Sequence, residues 1–168
     1  QLDVRRMSQN PDIRDLVPTC PVPSHEDWHS ETWDIDMQTS YGQLCGRTVE
    51  EIRHRFTGVH PLSVAEEIFA TPSRAFRYYI WAYLQYLVSP ESEGEPDGAS
   101  AFPSFVVDRA SRCVDDFRVI WPSVRAVLEH VGRGQQRYDA DLSIYGSFRE
   151  KSQAAITTVE RLLAGRAD

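Results

Sequence analysis

The clearest periodicity in the chain lies in residues 71–88, where Phe76, Tyr79, Ile80, Tyr83, Leu84 and Leu87 recur at i, i+3, i+4, i+7, i+8 and i+11. That spacing sets six large apolar side chains on one face and predicts a core-facing helix. Thr71-Pro72 supplies its start, with proline at the first helical position, where its missing amide costs nothing. Arg74, Arg77, Trp81 and Gln85 fall on another face. Trp81 is therefore expected either to lie under the N-terminal third or to be open to a partner. The tyrosines at 78, 79, 83 and 86 each bring a hydroxyl that needs a partner if buried.

Helical signals continue on both sides. Thr48-Val-Glu-Glu51 reads as a capping box before Val49, Ile52 and Phe56, with Gly58 as the stop. Ser63-Val-Ala-Glu66 repeats the box ahead of a short helix ending near Phe69. Phe105, Val106, Ala110, Cys113 and Val114 can share one helical face, and Trp121-Pro122 opens another helix that ends at Gly132. A final amphipathic stripe runs through Phe148, Ala155, Ile156, Val159, Leu162 and Leu163. The pattern predicts an all-α domain of five to six helices over residues 47–168, with residues 1–46 as an irregular acidic extension packed on it. Four prolines between positions 11 and 23 argue for that irregularity, with at most a helical turn near Asp12 to Val17. Trp33, Ile35 and Met37 alternate with acids, which predicts a short strand over residues 32–37. Residues 89–101, with two prolines, two glycines and four acids, read as a loop that buries nothing.

The 168 residues suffice for one domain with a genuine core. No apolar run is long enough to span a bilayer, and no signal-peptide stretch precedes position 24, so no membrane association is expected. The chain opens on Gln1 instead of Met, which reads as a trimmed start or a start inside a longer product. Cys20, Cys45 and Cys113 are odd in number and far apart, which favours a reducing, cytoplasmic setting over a disulfide framework.

A net charge of −7 argues against nucleic-acid binding, which calls for a basic stripe. The acidity is concentrated: residues 1–46 hold eight acids and three bases. Within residues 24–36, five acids and no Lys or Arg surround Trp28 and Trp33. Aromatic anchors amid one sign of charge suit a protein interface facing a basic partner. Trp28, Glu31, Asp34 and Asp36 are the first candidates for partner contact. Glu91, Glu93, Glu95 and Asp97 follow, as charge without anchors. Trp33 is expected to pack back onto the helices, whereas Trp28 is left open between packing and partner contact.

Catalytic signatures are thin. His25 and His29 stand four apart beside acids, but the stretch has no helical face and lacks further ligands in register, so no metal is expected. Asp115-Asp116 and Glu50-Glu51 are adjacent and point to different sides of a helix. No nucleophile elbow or phosphate loop is present, and Gly132-Arg-Gly134 lacks the flanking elements that would give it meaning. The chain is expected to be a non-enzymatic binder without catalytic residues or cofactor. Two rivals remain: a small enzyme with a site drawn from His25, His29, His54, His60 and Glu51, and a scaffold that self-associates through Trp81 and nearby tyrosines.

Gly46-Arg47-Thr48-Val49-Glu50-Glu51-Ile52, followed by Thr71-Pro72-Ser73-Arg74-Ala75-Phe76-Arg77-Tyr78-Tyr79-Ile80-Trp81-Ala82, resembles a family of small bacterial helical proteins. In that family a proline stands where this chain has Trp81, so a straighter helix is expected here. Its members are similar to the immunity proteins that accompany polymorphic bacterial toxins. The resemblance implies a cytoplasmic protein that neutralises a partner toxin by binding it, and it carries over no catalytic residue.

Overall fold

A computed structural model describes residues 10–30 and 33–165. Among these residues the chain is all-helical, without strands. Seven helices of nine residues or more form it: α1 (Ile35–Leu44), α2 (Val49–Gly58), α3 (Pro61–Phe69), α4 (Ser73–Val88), α5 (Pro96–Arg112), α6 (Trp121–Arg133) and α8 (Phe148–Ala164), with α7 (Leu142–Tyr145) a single turn. The expectation of five to six helices is close but low by one, because the strand reading displaced α1. Asp34 caps that helix, its carboxylate accepting from the Met37 amide at 2.9 Å. The alternation of Trp33, Ile35 and Met37 is therefore the first turn of a helix, too short to separate a period of 2 from one of 3.6.

Helix α4 is the spine. Eleven of its sixteen residues are buried, so it is enclosed on nearly every side instead of along one stripe. Phe76, Tyr79, Ile80, Tyr83, Leu84 and Leu87 are all 0% exposed. Helices α2, α3 and α6 pack on it, and α8 closes the far layer against α5 and α6. Its tyrosines find partners across the core. Tyr79 donates to the Leu44 carbonyl at 2.6 Å, Tyr83 donates to the Gly98 carbonyl, and Tyr78 accepts from the Val49 amide at 3.3 Å. Phe56 of α2 stacks on Tyr83 and Tyr86 with ring centroids 5.2 and 4.6 Å apart. Burial pushes the phenols of Tyr86 and Tyr138 up to about 12, keeping both neutral, and Tyr138 donates to the Leu87 carbonyl at 2.6 Å. Trp81 is 4% exposed, which overturns its use as a self-association surface.

Three local expectations are corrected. Residues 89–101 are not a loop that buries nothing: a turn of 3-10 helix at Pro90–Ser92 leads into α5, and Ser92, Gly98 and Ala99 are buried. Gly98 is small for a reason, since a Cβ there would meet Pro61 Cβ at 3.2 Å and Tyr86 Cε1 at 3.3 Å. Helix α3 starts two residues before Ser63, with His60 as its cap. Pro72 stands at the N-cap of α4, and the Thr71 hydroxyl donates backward to the Ile68 carbonyl at 2.6 Å. The capping box at Thr48 and Glu51 is present in both directions.

His130 of α6 is 5% exposed, and burial pushes its pKa down to about 4, with Arg137 and Arg133 adding to the shift. An imidazole held neutral in the folded state and free to charge in the unfolded one favours unfolding in acid. Stability is fully present above pH 6.5 and is lost as the pH falls toward 4, by about 3 kcal/mol in total. Urea unfolding at pH 7 and pH 4 should show that loss, and His130→Gln should lower the difference by about the same amount.

Candidate functional site

Trp28 and Leu16 anchor the N-terminal arm in the core. A turn of 3-10 helix at His25–Trp28 is closed by Asp27, whose carboxylate accepts from the Ser24 amide at 2.7 Å and is held below its ordinary pKa by that bond. The turn aims Trp28 inward, where it is 1% exposed. Its ring meets Tyr41 of α1 edge-on at 5.4 Å and lies 6.1 Å from Tyr79 of α4. His25 Nδ1 and the Tyr41 hydroxyl are 2.6 Å apart. Trp28 is thus a packing residue, and its place among partner-contact candidates is withdrawn because nothing of it reaches the surface.

Trp33 takes the opposite position from the one expected. It is 45% exposed, touching Tyr41 with only an edge, ring centroids 5.6 Å apart. Ile35 beside it is 72% exposed. Asp34 and Asp36 alternate with them, both exposed, with Asp34 tied to the α1 cap. Glu31 lies outside the described residues. The arm therefore presents two apolar side chains alternating with two carboxylates. Ile35 was legible only as part of the supposed strand.

The second acidic segment is more engaged with its own protein. Glu93 pairs with Arg137 at 2.9 Å, and Asp97 accepts from the Tyr145 hydroxyl at 2.8 Å and lies 3.1 Å from His60 Nε2. Glu91 and Glu95 are both exposed, with Glu95 at the N-cap of α5.

Beside the arm opens a cleft of about 1010 Å³. Its walls come from the arm and α1 on one side, from α3 and the α3–α4 junction, and from the C-terminal end of α5. Arg109 of α5 lies at its base, 6% exposed, with Nε 2.8 Å from Asp116 and with Nη1 donating to the carbonyls of Phe69 and Thr71 at 3.2 and 2.8 Å. The guanidinium also sits 4.4 Å over the Phe76 ring. It fixes the α3–α4 corner from which the cleft is built. Sequence reading had singled out Asp115-Asp116 only as a carboxylate pair. The structure separates them, Asp116 buried and Asp115 exposed.

The residues of the enzymatic rival do not converge. His54 is exposed on α2 near Glu50, His60 caps α3, Glu51 belongs to its capping box, and His25 and His29 stay on the arm. No group of three His, Cys, Asp or Glu that could hold a metal occurs among the described residues. Among the described residues no helix is long and apolar enough to cross a membrane. Compared with family models, with curated proteins and with solved structures, the chain shows no significant match.

Proposed function

We propose that this chain is a non-enzymatic binding protein of immunity type, which neutralises a basic partner toxin in the cytoplasm through the surface of its N-terminal arm. The observation that carries the reading is the exposure of Trp33 and Ile35 in alternation with Asp34 and Asp36. Large apolar side chains left in water on an acidic segment are what a partner interface uses: the ring and the branched chain anchor, while the carboxylates steer a cationic surface into register. The net charge of −7 extends that steering over a longer range. The resemblance over Gly46–Ile52 and Thr71–Ala82 supplies the class of partner, a toxin carried with its antidote.

The test is co-expression with a toxin-like protein encoded beside this chain, followed by co-purification and titration. Wild type is expected to capture it and suppress its toxicity. Trp33→Ala combined with Ile35→Ser should weaken binding by about 30-fold, corresponding to about 2 kcal/mol for a hot-spot pair. Thermal stability should stay within about 0.5 kcal/mol of wild type, as for other exposed positions. Full affinity in the double variant removes the arm from the interface.

A further inference from the structure

We infer that the cleft beside the arm receives a cationic side chain, arginine or lysine, from the protein partner; this rests on the binding role proposed above and names the group that enters. The charge balance of the walls supports it. The four arginines lining the cleft face three acids: Arg74 lies 3.7 Å from Asp27, Arg112 lies 2.9 Å from Asp108, and Arg77 at 3.6 Å shares Asp116 with Arg109. Glu67 is taken by Arg55 at 2.6 Å. Asp36 of α1, Glu66 of α3 and the α1 cap residue Asp34 line the same cleft and make no ion pair with any described residue, so three unpaired carboxylates outnumber the one arginine in excess. The uncompensated charge of the cleft is therefore negative, and it comes from two helices that pack against each other.

A second, independent feature lies one turn along α1 from Asp36. Ser40 lines the cleft, is 1% exposed, and its Oγ has no hydrogen-bond partner. Buried hydroxyls are ordinarily bonded, so an open one in a cleft wall is a free acceptor. An ammonium or guanidinium brings only donors and needs acceptors on several sides. Two carboxylates and one hydroxyl oxygen meet that need, and charge-assisted bonds are the stronger kind. Asp36 and Ser40, at i and i+4, share one face of α1, and Ser63 and Glu66, at i and i+3, share one of α3. The site adjoins Trp33 and Ile35 in sequence, so an anchored partner segment would bring its basic side chain to the cleft mouth.

The experiment uses the full chain labelled with ¹⁵N and a tetra-arginine amide peptide as the probe, at low salt. Saturable binding is expected, with amide shifts concentrated at residues 36–40 and 63–67. Asp36→Asn with Glu66→Gln should weaken it at least tenfold, and Ser40→Ala several-fold with unchanged melting. A charge-matched control, Glu50→Gln with Glu150→Gln, should bind as wild type does. No saturable binding, shifts spread over the whole acidic surface, or equal weakening in the control overturns the inference. The two readings fail separately. Should the co-purified partner bind Asp36→Asn/Glu66→Gln as tightly as wild type, the cleft site falls and the arm's binding role stands. Should wild type capture no partner, it is the binding role that falls.

Discussion

Replacing Arg109 with Met should destabilise the fold by about 3–5 kcal/mol, the cost of removing one partner of a buried ion pair. Asp116 is 1% exposed, and its nearest other cation, Arg77, is 3.6 Å from Oδ1, beyond hydrogen-bond range. For a chain of this size about 2–4 °C of Tm accompanies each kcal/mol, so the midpoint should fall by roughly 10 °C. A double variant, Arg109→Met with Asp116→Leu, separates charge from scaffolding. It removes the orphaned carboxylate and should recover part of the loss. Recovery should stop short of wild type, because the carbonyls of Phe69 and Thr71 still lose their donor, at about 1–3 kcal/mol for buried groups left unmade. Full recovery in urea unfolding would show that Arg109 serves its carboxylate alone and that the α3–α4 corner holds without it.

The second large effect is expected at Trp28. Truncation to Ala empties a buried indole site between Tyr41 and Tyr79 and should cost about 3–5 kcal/mol. Trp33→Ala, five residues on, should cost almost nothing by the same measurement, since that ring is 45% exposed. The contrast is the informative quantity. Chemical denaturation of the two single variants side by side should place them at opposite ends of the range, and similar losses would mean that the arm packs through both rings.

That contrast also shows where reading the sequence reached its limit. Helices with a local start and an unbroken stripe were legible: the capping box at Thr48, the Trp121-Pro122 start and the stripe from Phe148 all mark helices in the fold. Their signals are local, and the tertiary structure had only to agree. Residues 34–37 could not be read that way, because four positions fit either period and the deciding fact, the Asp34 cap, looks like any acid in a sequence. The start of α5 was hidden in the same way. Glycine and alanine at 98 and 99 read as loop composition, yet Gly98 is small because Pro61 and Tyr86 press against it. Which tryptophan goes inside depended on Tyr41 and Tyr79, thirteen and fifty-one residues beyond Trp28, and no pattern within the arm encodes that. The cleft is the least legible feature. Asp36 and Glu66 are thirty residues apart, each among other acids, and only the packing of α1 on α3 brings them to one cleft.

The docking of Trp28 bears on how the arm can work as a binding element. A proline-rich segment carrying its anchor on a free chain would surrender conformational entropy at each encounter, about 1–2 kcal/mol for every backbone residue fixed. Here one indole driven into the core, a carboxylate closing the turn behind it and a capped helix ahead of it settle that cost during folding. Trp33 stands next to the Asp34 cap and Ile35 is the first residue of α1, so the capped helix holds both near the geometry in which a partner would meet them.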